Sequence, residues 1–157
     1  CTKRKTVRST IGGIAPVGTS GDPHHDMTWS RSTEVQERIA AIPKDGGSRE
    51  ALGPTKQLPC HVKIGGFRDV YGRLAWEEVS PTITTGCFNP SKGRFLHPQE
   101  DRPITLREAA LLQSFPREYQ FPKKGREKIA RLIGNALPPE FIRRHGLKVK
   151  AFVQRVP

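Results

Sequence analysis

The sequence predicts an α+β fold: a small, loop-rich, twisted β region with short helices, followed by a helical segment. Three observations lead there. With 14 prolines and 15 glycines in 157 residues, and only 34% apolar residues, elements must be short and the core modest. Aromatic and β-branched residues concentrate between positions 67 and 85, where strands are expected. Helical spacing with start signals appears near residues 33–42, 105–115 and 123–145. The expected division is residues 1–122 and residues 123–157.

Taken in order, residues 1–12 are basic and run into Gly12-Gly13, which reads as a connector. Ala15 to Trp29 is rich in Gly, Ser, Pro, Asp and His, the composition of an irregular loop. Thr33-Glu-Val-Gln36 has the form of a capping box, and Val35, Ile39 and Ile42 share one helical face before Pro43 and Gly46-Gly47 end it. Strands are expected over Phe67 to Trp76, interrupted by Gly72, and over Pro81-Thr-Ile-Thr-Thr85. Asn89-Pro-Ser-Lys-Gly93 has turn chemistry. A second capping box, Thr105-Leu-Arg-Glu108, opens a helix that stops at Pro116. Lys123 to Ile133 is the next helix, with Ile129, Leu132 and Ile133 on its apolar face and Gly134-Asn135 at its end. Pro138 and Pro139 suit the first turn of a final helix reaching about His145.

The 27 basic and 15 acidic residues give a formal charge of +12. Such an excess predicts a polyanionic partner, most simply nucleic acid; a merely solvated basic surface is the competing reading. No stretch approaches the roughly 20 apolar residues of a membrane span, and no signal peptide is visible. Three widely spaced cysteines, Cys1, Cys60 and Cys87, argue against a disulfide framework and fit a reducing cytosol. His24, His25, Asp26, His61 and His97 lack zinc spacing, so no structural metal is expected. The chain begins with Cys1, which reads as a piece of something longer or a processed chain.

Between the last two helices, Gly134-Asn135-Ala136-Leu137 leaves unpaired backbone groups facing one small space. The following prolines remove two amide donors, so the corner is a poor phosphate cradle. Asn135 can donate and accept, and would read a neutral or zwitterionic ligand. On these grounds alone, an ordinary corner between helices is the better reading.

Two blocks change that weighting. Arg102-Pro-Ile-Thr-Leu-Arg-Glu-Ala-Ala-Leu-Leu-Gln-Ser-Phe-Pro116 and Ile133-Gly-Asn-Ala-Leu-Pro-Pro139 resemble, in order and spacing, the last two sequence blocks of DNA (cytosine-5)-methyltransferases. The resemblance extends from about Phe67 to Pro139. It implies that Asn135 and Ala136 border an S-adenosylmethionine pocket, on a helical segment that normally packs against an α/β catalytic domain. It implies that Arg102 to Pro116 organises a target-recognition region, its arginines holding loops and Glu108 acting as a cap. Pro81 to Thr85 resembles the recognition element whose Thr lies near the phosphate flanking the extruded base, and Thr82 is the match; a plain β-former is the alternative. Arg73, Lys92 and Arg94 are the neighbouring candidates for phosphate or base-edge contact.

The family's catalytic residues are not expected here. Leu58-Pro59-Cys60-His61 contains the Pro-Cys pair of the family's nucleophile but lacks the following Gln and falls too late in the order. The Phe-x-Gly-x-Gly turn, the Glu-Asn-Val triplet and the Gln-x-Arg-x-Arg block are missing from the sequence. The resemblance therefore implies a carboxyl-terminal portion that binds double-stranded DNA and completes a cofactor pocket built mostly by a catalytic partner portion. An inert or relic DNA-binding module is the alternative. Without that partner, the apolar face of residues 129–142 is expected to be exposed, with instability or oligomerisation as the result.

Overall fold

The computed structural model describes residues 4–27, 30–53, 57, 69–122 and 125–155. The Pro59-Cys60 pair, His61 and the start of the first expected strand at Phe67 lie outside them. Where a connector was expected, Thr6 caps a short helix α1 (Val7–Ile11), its hydroxyl accepting from the Ser9 amide at 3.2 Å. Val7 and Ile11, one turn apart, both enter the core. Helix α2 (Thr33–Ala40) begins from Ser32, so Thr33 is already inside the first turn and does not form the expected capping box. Ile39 and Ile42 bury the end of α2 against Leu52, Tyr71 and Leu96.

Helix α3 (Leu106–Leu112) has the expected reciprocal cap: Thr105 accepts from the Glu108 amide while the Glu108 carboxylate accepts from the Thr105 amide. Its buried stripe is Leu106, Ala109, Ala110 and Gln113. Helix α4 (Arg126–Asn135) starts at Gly125, whose φ of 92° is left-handed and favours glycine. Ile129, Ala130 and Ile133 seal α4 into the larger core cluster, together with Val7, Ile83 and Phe95. Helix α3 packs against both α1 and α4.

The expected β region is not formed: among the described residues there is no strand. What remains is two isolated bridges centred on Leu96, parallel to Arg73 and antiparallel to Pro103. Leu74 and Leu96 exchange bonds with the neighbouring segment (Leu74 N to Leu96 O 2.9 Å, Leu96 N to Gly72 O 3.0 Å), and the pairing then stops. Pro98 and Pro103 have no amide to continue a ladder, which confines the pairing to single rungs. Residues 81–84 form no regular element and no strand pairing among the described residues: Pro81 lacks a donor, and a turn closes immediately at Cys87 N to Thr84 O, 3.1 Å.

Side chains replace the missing sheet, and Arg73 is the central one. It is 0% exposed. Its Nε donates to Ile42 O (3.1 Å), Nη1 to His97 O (3.0 Å) and Glu100 O (2.6 Å), and Nη2 to Ile39 O (2.8 Å) and the Asp101 carboxylate. All five guanidinium hydrogens are thereby used. One buried fork ties the end of α2 to the 97–101 loop, work that a β ladder would otherwise do.

The final helix, α5 (Pro139–Val153), runs well past the expected end at His145. It buries no residue, and Phe141, Ile142, Leu147, Val149, Phe152 and Val153 are all exposed. The apolar face expected over residues 129–142 is thus divided. Ile129 and Ile133 are covered, whereas Leu132, Leu137, Phe141 and Ile142 are open. Among the described residues, no helix is long and apolar enough to cross a membrane.

Candidate functional site

The corner between α4 and α5 is held from two sides. Ala136 leaves the helix with extended backbone (φ −72°, ψ 136°), so its carbonyl needs a partner outside the helix. Gln113, on the buried stripe of α3, supplies it: its side-chain amide donates to Ala136 O at 2.7 Å. The next residue, Ser114, adopts φ 68°, and its hydroxyl accepts from the Glu140 amide at 3.1 Å, capping the first turn of α5. The side chains of Gln113 and Ser114 thus stitch the first motif block to the second.

On the other side, Gly134 sits against the backbone of residues 84 and 85. A Cβ there would lie 2.2 Å from Thr85 N and 2.3 Å from the Thr84 carbonyl carbon, so only glycine fits without movement. The same segment is flanked by Lys92, the last residue of the 3-10 turn Pro90–Lys92. The Lys92 stem lies over Gly86, where an added Cβ would meet Lys92 Cβ at 2.8 Å. The Asn89 side chain fixes this turn by accepting from the Ser91 amide at 3.0 Å.

The structure therefore gathers the Thr82–Thr85 segment, Lys92 and the 134–136 corner into one neighbourhood. Thr82, Lys92 and Asn135 are exposed, and their side chains make no hydrogen bond or ion pair among the described residues. Ala136 is half-buried behind Asn135. A cavity of about 510 Å³ opens beside the Ser114–Glu140 pair and others of about 590 and 370 Å³ lie further off, and neither Asn135 nor Ala136 lines any of the three. The corner instead faces outward as an open wall.

Two other candidates are placed differently. Arg73 has no exposed surface and no spare donor, so its expected contact with DNA is withdrawn: it is an internal strut. Arg94 is also turned inward for the most part. Its Nε donates to Asp69 at 3.0 Å, and Nη1 reaches Gly46 O at 2.9 Å and Arg73 O at 3.0 Å. Gln113 and Ser114 were missed on sequence grounds. Gln113 carried a signal, since it lies seven, four and three residues after Leu106, Ala109 and Ala110, on the stripe that faces the core.

A charged cluster braces the block from below. Arg102 grips Glu108 through two parallel bonds of 2.8 Å and also donates to Glu100 at 2.8 Å. Burial works against the Glu108 charge, but Arg102 outweighs it and holds the carboxyl below its usual range. His97 accepts from the Gln99 and Glu100 amides through Nδ1, at 3.2 and 3.0 Å. Burial pushes this imidazole down to about 4, with Arg102 and Arg73 adding to the effect and Glu108 opposing it. Burial likewise pushes the Cys87 thiol up to about 12, so this cysteine is an inert core residue. Among the described residues, no group of His, Cys, Asp and Glu could hold a metal ion.

The family model for C-5 cytosine-specific DNA methylases matches residues 15–151, from after α1 to near the end of α5. The chain belongs to that methylase family. It is similar to the type II methylase M.HgiDII of Herpetosiphon aurantiacus, at 40% identity over 157 residues, covering 96% of this chain and 44% of the relative. It is similar to the type II methyltransferase M1.BsuMI of Bacillus subtilis, at 40% over 87 residues, covering 54% of this chain and 20% of the relative. Mouse DNA (cytosine-5)-methyltransferase 1 is 38% identical over 82 residues, covering 52% of this chain and 5% of the relative. The methylase chain therefore spans less than half the length of these relatives.

Proposed function

We propose that this methylase chain is the target-recognition region and final cofactor-pocket segment of a DNA (cytosine-5)-methyltransferase. In this reading residues 1–122 grip and read double-stranded DNA, and residues 123–157 complete the pocket for S-adenosylmethionine. The boundary is one of role, since α4 shares a core with α3 and Ile83. The observation that carries the reading is the backbone contact of Gly134 with residues 84 and 85, which sets the Asn135 corner against the segment that bears Thr82, with the Lys92 stem over Gly86 in the same segment. The +12 formal charge supports a polyanionic partner for Thr82 and Lys92.

The corner fits a zwitterionic ligand better than a phosphate. The Ala136 carbonyl is already taken by Gln113 and the Glu140 amide by Ser114. Pro138 and Pro139 have no amide. The Asn135 carboxamide is the recognition group left free. S-adenosylmethionine, when bound, supplies the methyl group for carbon 5 of a cytosine extruded from the duplex. This chain's residues border it on one side and hold the DNA; the nucleophile belongs to a catalytic portion. The type II names of two relatives make restriction–modification the proposed setting.

Mixing the chain with the catalytic portion of a similar methylase tests this. The expected result is methyl transfer to duplex DNA that depends on the chain, with Asn135→Ala raising the cofactor KM. If the catalytic portion is fully active alone, and the chain still binds duplex in a salt-dependent way, it is an inert DNA-binding module instead.

A further inference from the structure

Building on that reading, we propose that Gln113 and Gly134 are positioning residues that lock the cofactor-facing corner to the DNA-facing segment, so the two ligand surfaces move as one body. The Gln113 side chain is buried, at 8% residue exposure, and its amide fixes the Ala136 carbonyl at 2.7 Å. Holding that carbonyl fixes the peptide plane after Ala136, and with it the direction in which Asn135 and Ala136 face. Gly134, one residue before Asn135, meets Thr84 and Thr85 backbone to backbone, with no side chain between them to absorb a shift.

The segment it touches is itself closed by a turn: the Cys87 amide donates to Thr84 O at 3.1 Å. Thr82 lies two residues before that turn. A rotation of the corner must therefore displace the Thr84–Cys87 turn and carry Thr82 with it. The reverse also holds: a phosphate gripping Thr82 restrains the Thr84–Cys87 turn, and the turn restrains Asn135. DNA engagement thus orders the cofactor wall without touching it.

Amide hydrogen exchange on the chain tests this. Gln113→Glu keeps the shape but removes the donor. At pH 8, protection at the Ala136 and Cys87 amides is expected to fall together by about fivefold, the factor given by one lost hydrogen bond. Protection at Leu74, whose amide bonds elsewhere, is expected to hold. Near pH 5 the new carboxyl, buried beside a carbonyl, regains a proton and can donate, so protection factors at both amides are expected to recover. Gly134→Ala, which pushes the two backbones apart, is expected to lower the same pair without rescue by acid. Should that variant fail to fold, Gln113→Glu decides the matter. A loss confined to Ala136, with Cys87 unchanged, overturns the coupling. Added duplex DNA is expected to raise Ala136 protection in the unaltered chain and to do so less in Gln113→Glu; an equal rise in both also overturns it. If the chain binds no duplex, the recognition reading fails, while exchange in the free variants still decides whether the corner and the segment are locked.

Discussion

At the scale of single residues, burial separates Arg73 and His97 from what their types suggest. Arg73 in an aromatic, strand-like run reads as a surface cation, yet its guanidinium ties the end of α2 to the 97–101 loop from inside. Removing one partner of such a network leaves several carbonyls unpaired, so Arg73→Met is expected to cost about 3–5 kcal/mol in urea unfolding. His97 makes the fold acid-sensitive. Its folded pKa of about 4 lies below the ordinary 6.5, so the unfolded chain binds the proton first. Stability is therefore full above pH 6.5 and falls as the pH drops toward 4, by about 3 kcal/mol at most. Below that, Glu108 and Glu100, both held low through Arg102, continue the loss. His97→Asn keeps an acceptor near the two backbone amides and removes the titration. Thermal unfolding of that variant between pH 6.5 and 4 is expected to show a flatter slope. Neither role was legible, because the partners of Arg73 and His97 include residues far away in the sequence, at positions 39, 42 and 108.

At the scale of elements, local signals were legible and pairing was not. The α3 cap could be read from Thr105 and Glu108 because both its bonds close within four residues. The strands expected near 67–76 and 81–85 had the right residue types, but a ladder depends on a partner segment, and Pro98 and Pro103 deny it one. Ending α5 at Gly146 gave too much weight to one glycine, which costs only about 1 kcal/mol in a helix interior. The apolar positions at 149, 152 and 153 continue the helical spacing beyond it. A Cβ at Gly146 meets nothing within 4 Å. Gly146→Ala is accordingly expected to stabilise by about 0.5–1 kcal/mol and to increase helical circular dichroism. Gly134→Ala, in the neighbouring helix, is expected to destabilise by about 1–3 kcal/mol through overpacking. The corner between the last two helices was legible from Gly134-Asn135 and the prolines, but only the resemblance to the methyltransferase blocks marked it as a candidate site. Of its two supports, Gln113 lay on a readable helical stripe, whereas the contact of Gly134 with residues 84 and 85 is between backbones and leaves no trace in side-chain patterns.

For the molecule as a whole, the charge and the exposed apolar helix set its solution behaviour. An apolar row from Leu137 to Val153 is more than a monomer usually leaves open. The chain alone is expected to associate with rising concentration, and Phe152→Asp to shift sedimentation toward the monomer while leaving circular dichroism unchanged. A single monomeric species at high concentration would contradict this. The seam at Gly134 also limits how recognition regions can be exchanged between related methylases. Under the proposed assignment, a transplanted reading segment must present bare main chain of the right curvature to the recipient's last helices, or it will tilt the methyl donor's wall. Specificity in such chimeras would then be inherited from the graft, while turnover would depend on how well the join is tailored.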